Sequence, residues 1–111
     1  MPEKYRIEWV PSAIDDLDGI LEYKQVHEGP EAAVKLYAAI SARIDTLFLH
    51  PKRCRIVPEL KRFGIREYRE LIVSPYRVFI RVEPKLVSII GIIDGRRDLE
   101  EILIHRLMDD I

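Results

Sequence analysis

The chain is poor in the residues from which covalent and metal frameworks are built. Its 111 residues include one cysteine, Cys54, which excludes an intramolecular disulfide and leaves no thiolate cluster for a metal. Such usage suits a reducing cytoplasm. His27, His50 and His105 are scattered, and none stands at ligand spacing from Cys54 or a carboxylate, so neither metal nor cofactor is expected. No apolar run approaches the roughly 20 residues that span a bilayer. The opening MPEKYRIEW lacks the apolar stretch of a signal peptide, and no membrane partner is expected. Phosphate-cradling glycine loops, GxSxG elbows and internal repeats are also missing. What remains is one domain over residues 1–111, of ordinary globular composition and just large enough for a core.

Net charge is low, at −1, but the charge is segregated. Residues 1–51 carry five Lys/Arg against nine Asp/Glu, residues 52–97 twelve against five, and residues 98–111 one against five. The basic block suits phosphates or an acidic partner, or else is neutralised by its own flanks. The sequence leaves both uses open.

The basic block contains the clearest structural signal. Residues 66–73 alternate, with Glu67, Arg69, Leu71 and Val73 on one face and Arg66, Tyr68, Glu70 and Ile72 on the other. In the next run Tyr76, Val78, Ile80 and Val82 oppose Arg77, Phe79 and Arg81. Residues 86–93 are apolar on nearly both faces and rich in β-branched side chains, as in a central strand covered on both sides. Ser74-Pro75 and Glu83-Pro84-Lys85 supply the turns. A three-stranded antiparallel meander is predicted.

Before it, Tyr5, Ile7 and Trp9 alternate as a short strand ended by Pro11, and Ser12 is placed to cap a helix. Gly29-Pro30 restarts the chain into a second helix, residues 31–50, with Ala33, Leu36, Tyr37, Ile40, Ile44, Leu47 and Phe48 on one stripe. The two helices are expected to form a hairpin on one sheet face. Residues 51–65 read as a basic connection. After the sheet, Leu99, Ile102, Leu103, Arg106 and Leu107 line one side of a last helix, which either covers the second face or meets a partner. The order is β-α-α-β-β-β-α, in the α+β class.

Cys54 lies among Lys52, Arg53 and Arg55, which favour a thiolate, but no base accompanies it. Ribonuclease chemistry requires a base, an acid and cations for the transition state. Glu67 or Glu70 could be the base, Tyr68 or Tyr76 the acid, and Arg69, Arg77, Arg81, Arg96 and Arg97 the cations. The same Arg–Glu alternation also describes a cross-strand charge ladder on a solvated face. Asp94-Gly95-Arg96-Arg97-Asp98 is the sharpest local feature, a tight corner that turns a strand into a helix. There the arginines are either functional or paired with Asp94 and Asp98.

The run YRELIVSPYRVFIRVE, the strand after it and DGRRDLEE, with EWVPSAIDDLDGILEY at the start, resemble the RelE/ParE superfamily of type II toxin–antitoxin toxins. The resemblance extends to about Leu107 and implies a helical hairpin on an antiparallel sheet with a short C-terminal helix. It divides by target. RelE-like members cleave mRNA on the ribosome, whereas ParE-like members inhibit DNA gyrase without nuclease activity. Ile72-Val73 stand where many RelE-type toxins place an arginine, and no aromatic follows Phe79, so only Arg97 matches the nuclease positions; Arg81, Glu70 and Tyr68 would have to supply the rest. Asp94 stands where many ParE-like sequences have His. The resemblance therefore implies a gyrase inhibitor neutralised by a cognate antitoxin. Arg69, Arg77, Arg81, Arg96 and Arg97 would meet the target, and Leu99, Ile102, Leu103 and Arg106 the antitoxin. A ribosome-dependent endonuclease, a non-toxic interaction module and a homodimer are the alternatives.

Overall fold

In the computed structural model, which describes residues 4–109, strand β1 (Arg6–Trp9) leads into helix α1 (Pro11–Glu28). Pro11 occupies the first helical turn, where its missing N–H costs nothing, so the cap position falls on Val10 and not on Ser12. Gly29, at φ 97°, separates α1 from α2 (Pro30–Asp45), a backbone conformation that side-chain-bearing residues rarely adopt. The second helix stops at Asp45 instead of continuing to His50. The chain tightens into a 3₁₀ turn at Thr46–Phe48, which buries Leu47 and turns Phe48 outward from the expected stripe.

The 51–65 connection is more ordered than its composition suggests. It contains β2 (Arg55–Ile56) and a single helical turn, α3 (Pro58–Lys61). Strands β3 (Tyr68–Val73), β4 (Tyr76–Glu83) and β5 (Leu86–Asp94) form the expected antiparallel meander, and α4 (Leu99–Asp109) follows. The sheet has five strands in the order β1-β5-β4-β3-β2. It is mixed, because β1 runs parallel to β5 with Arg6 opposite Leu86 and Trp9 opposite Ile89.

Alternation assigns the two faces as the pattern indicates. Leu71, Val78, Ile80, Val87 and Ile89 meet Ala13, Ile40, Ile44 and Leu47 of the hairpin side. On the other face Phe79 and Ile93 pack with Val57 and Leu60 of the connection and Leu99 and Leu103 of α4. A bulge in the β4–β5 ladder shifts the phase, so that Ile89 and Ile92, three residues apart, share the hairpin face. Each fully buried Ile or Leu in these layers contributes about 1.5–3 kcal/mol of transfer free energy.

Past Ile89, β1 has ended and the β5 edge is taken over by side chains. Asp16 of α1 accepts the Ile92 N–H at 3.0 Å and receives a two-pronged contact from Arg106 of α4, at 2.9 and 2.7 Å. Arg106 Nη1 also donates to the Ile90 carbonyl at 3.3 Å. This latch joins α1 to α4, and Gly91 makes room for it. A Cβ on Gly91 would stand 2.9 Å from Arg106 Nη1 and 3.2 Å from Asp16 Oδ2. Gly91→Ala is therefore expected to displace Arg106 and to destabilise the protein by about 1–3 kcal/mol. Hydrogen exchange is the check: α4 amides should lose protection while α2 amides keep theirs.

Candidate functional site

The five arginines singled out in the sequence do not form one patch. Arg69 is occupied structurally, donating to the backbone carbonyls of Cys54 at 2.7 Å and Lys52 at 3.2 Å, and so ties the connection to β3. Arg81 is half-exposed and pairs with Glu83 at 3.0 Å.

Arg77 lies at the centre of a buried network. Its Nη atoms hold both carboxylate oxygens of Glu59 on α3, at 2.7 and 2.8 Å, and its Nε donates to Glu70. Arg55 Nε donates to the other Glu70 oxygen at 2.5 Å. The Glu70 side chain is fully buried, so the alternating charges are not a solvated ladder. The difference comes from α3, which lies over that part of the sheet. Each Glu70 oxygen accepts from an arginine, the kind of pairing that a buried carboxylate requires.

Hydrogen bonds from Arg77 hold the Glu59 carboxyl below its ordinary value of 4.5. A depressed carboxylate supplies stability that is complete above the unfolded-state value and is lost as pH falls through the folded one. Glu59→Gln is therefore expected to be less stable than the wild type at pH 7. The gap should close as the pH is lowered past about 4, followed by urea denaturation across pH.

The corner after β5 differs in character. Gly95 N–H donates to the Pro75 carbonyl at 2.7 Å, and a Cβ at Gly95 would sit 3.0 Å from that oxygen and 3.1 Å from Arg77 Cδ. Glycine thus lets the corner lie against the β3–β4 turn. Asp94 accepts from the Arg96 N–H at 3.0 Å, from Nε at 2.9 Å and from Nη2 at 2.5 Å. These contacts, the side-chain ones foremost, hold the Asp94 carboxyl down to about 2. Arg97 is exposed, and among the described residues its guanidinium makes no hydrogen bond or ion pair. Both arginines border an open cleft of about 670 Å³ whose walls include Tyr23 of α1, Tyr76 of β4 and Ile102 and Arg106 of α4.

Of the nuclease candidates, Tyr68 stands opposite Arg81 in the β3–β4 ladder, half-buried beside the second core layer, and Glu70, two residues on, lies beneath α3, whereas Arg97 is apart from them beyond the end of β5. On α4, Leu99 and Leu103 are buried against the sheet, whereas Ile102 and Arg106 reach the cleft. The outer side of that helix presents Ile104 and Met108 instead. Burial pushes the Cys54 thiol up, outweighing nearby Arg69 and Arg43, which disfavours the thiolate. Among the described residues no group of three His, Cys, Asp or Glu is gathered as a metal site, and no helix is long and apolar enough to cross a membrane.

Two contributors escaped the sequence reading. Glu59 carries no local signal, since it meets Arg77 only once α3 folds over the sheet. The Asp16–Arg106 latch has one faint marker, Gly91 interrupting a run of β-branched residues.

A helical hairpin on one face of a small mixed sheet, α4 on the other and an arginine corner at the strand end define an α+β toxin of the RelE/ParE kind. Within that class the chain belongs to the ParE toxin family of the type II toxin–antitoxin system parDE, whose family model matches residues 7–99. It is similar in structure to a chain of the chromosomal ParDE toxin–antitoxin system from P. aeruginosa, with a TM-score of 0.67 and 25% identity, covering 80% of this chain and 94% of that one. No curated protein matches.

Proposed function

We propose that this ParE-family chain arrests replication by binding DNA gyrase through the Arg96–Arg97 corner, and that a cognate antitoxin neutralises it. The observation that carries the reading is the corner itself. Arg97 is an exposed cation beside Arg96, with no hydrogen bond or ion pair to its guanidinium among the described residues, on a turn fixed by hydrogen bonds to Asp94 and Pro75. The fixed turn spares the backbone an ordering cost on meeting a carboxylate or phosphate, the planar guanidinium fork suits either anion, and arginine is enriched among residues that dominate interfaces. Arg77, whose side chain lies against Gly95, braces this surface, whereas Arg69 and Arg81 lie away from it along the sheet. An antitoxin segment laid in the adjacent cleft would touch Ile102 and Arg106 and cover Arg97, while Leu99 and Leu103 hold α4 in place beneath it.

Non-enzymatic inhibition is favoured by the position of Glu70. A carboxylate buried between two arginines is not placed to take a proton from a ribose hydroxyl. Inhibition of supercoiling by purified gyrase tests the reading. Unimpaired supercoiling together with position-specific cuts in translated messages would instead indicate the ribosome.

A further inference from the structure

We propose that Asp94 is an internal counter-ion that restrains the toxin: it occupies Arg96, and an anionic group of the target must displace it to engage the whole corner. The proposal rests on the corner being the target-binding element, and adds a residue that sets its potency.

The two arginines of the corner are adjacent in sequence but not equivalent. Arg96 spends Nε and Nη2 on the two Asp94 oxygens, at 2.9 and 2.5 Å, although its side chain is 76% exposed and no packing holds it there. Arg97, one residue on, makes no such contact among the described residues. A fork-to-fork pair is also the geometry in which an arginine would take a partner's carboxylate or phosphate, so Asp94 competes for the same donor edge. The pair is local, two residues apart, and needs no distant element to form. The restraint is not a pH switch. Arg96 and Arg97 are the charged groups that act on the carboxyl, Tyr76 and Tyr23 act in turn on Arg96, and with its pKa at about 2 the carboxyl stays charged throughout the physiological range.

Asp94 has a second role that must be kept apart, because its Oδ1 also accepts the Arg96 backbone N–H. Asp94→Asn retains an oxygen for that bond and suits a turn, but removes the charge. Wild type, Asp94→Asn, Arg96→Ala and the double variant should be compared in growth arrest on induction without antitoxin and in inhibition of purified gyrase. Exposed pairs are modest, so Asp94→Asn is expected to raise potency about two- to fivefold. In the Arg96→Ala background it should bring no gain, since the restraint acts through Arg96.

A gain in growth arrest while no chain affects gyrase would keep the restraint and overturn the gyrase reading. Gyrase inhibition by the wild type, with Asp94→Asn no stronger, would overturn the restraint and leave the gyrase reading standing. A gain that persists with Arg96→Ala overturns it as well, since the effect is then one of net charge. So does the absence of growth arrest by both wild type and Asp94→Asn. Asp94→Ser, a smaller neutral acceptor, serves the same comparison if the amide variant fails to fold.

Discussion

Glu70→Ala is expected to destabilise the protein by about 3–5 kcal/mol, as much as truncating a large core side chain. The reason is not the loss of one attractive pair. The Glu70 side chain is fully buried, and Arg77, 11% exposed, is nearly so. Removing the carboxylate strands the Arg77 Nε beside the second core layer with only Glu59 left to balance its charge, and it frees Arg55 from the sheet edge. Because β2 pairs with β3 through Arg55 opposite Glu70, the two-residue strand and the α3 turn after it should loosen together. Urea denaturation of the purified chain measures the loss. A cost below about 1 kcal/mol would mean that the network is a surface ornament and that α3 is held by Val57 and Leu60 alone. Glu70→Gln, which keeps the shape and one acceptor, should fall between the two.

The opposite profile is expected at the corner. Arg96→Ala with Arg97→Ala should leave the melting temperature and the α4 amides unchanged, because neither side chain packs against the sheet and the turn is fixed by backbone donors at Gly95, Arg96 and Arg97. Inhibition of the target should fall about 30-fold or more, the scale of losing a dominant interface residue. Arg97→Ala alone should account for most of that loss, since Arg96 is already engaged by Asp94. If the double variant unfolds, the corner is a structural clip, and its arginines carry no evidence about function.

These two regions also mark what the sequence could and could not convey. The β3–β5 meander was legible because its signal is local: Tyr76, Val78, Ile80 and Val82 alternate with Arg77, Phe79 and Arg81, and proline and glycine mark the turns. The parallel β1–β5 pairing was not, because Arg6 finds Leu86 at a separation that no periodicity reports. The two-residue β2 and the single turn of α3 are too short for a pattern, and without α3 the alternation of Glu70 with Arg69 reads as a solvated ladder. The fate of the apolar stripe on α4 was open until Leu99 and Leu103 were placed against Phe79 and Ile93. At the corner, Asp-Gly and paired arginines located the feature. Which arginine is paired depends on the turn geometry that brings Arg96 back onto Asp94.

The measurement that bears most directly on function is DNA supercoiling by purified gyrase titrated with the wild-type chain and with the Arg96/Arg97→Ala variant, both verified as folded. Dose-dependent inhibition by the wild type, lost in the variant and reversed by the cognate antitoxin, is the expected result. Full supercoiling at every concentration of folded wild type, or equal inhibition by both chains, would contradict the proposal that this corner engages gyrase.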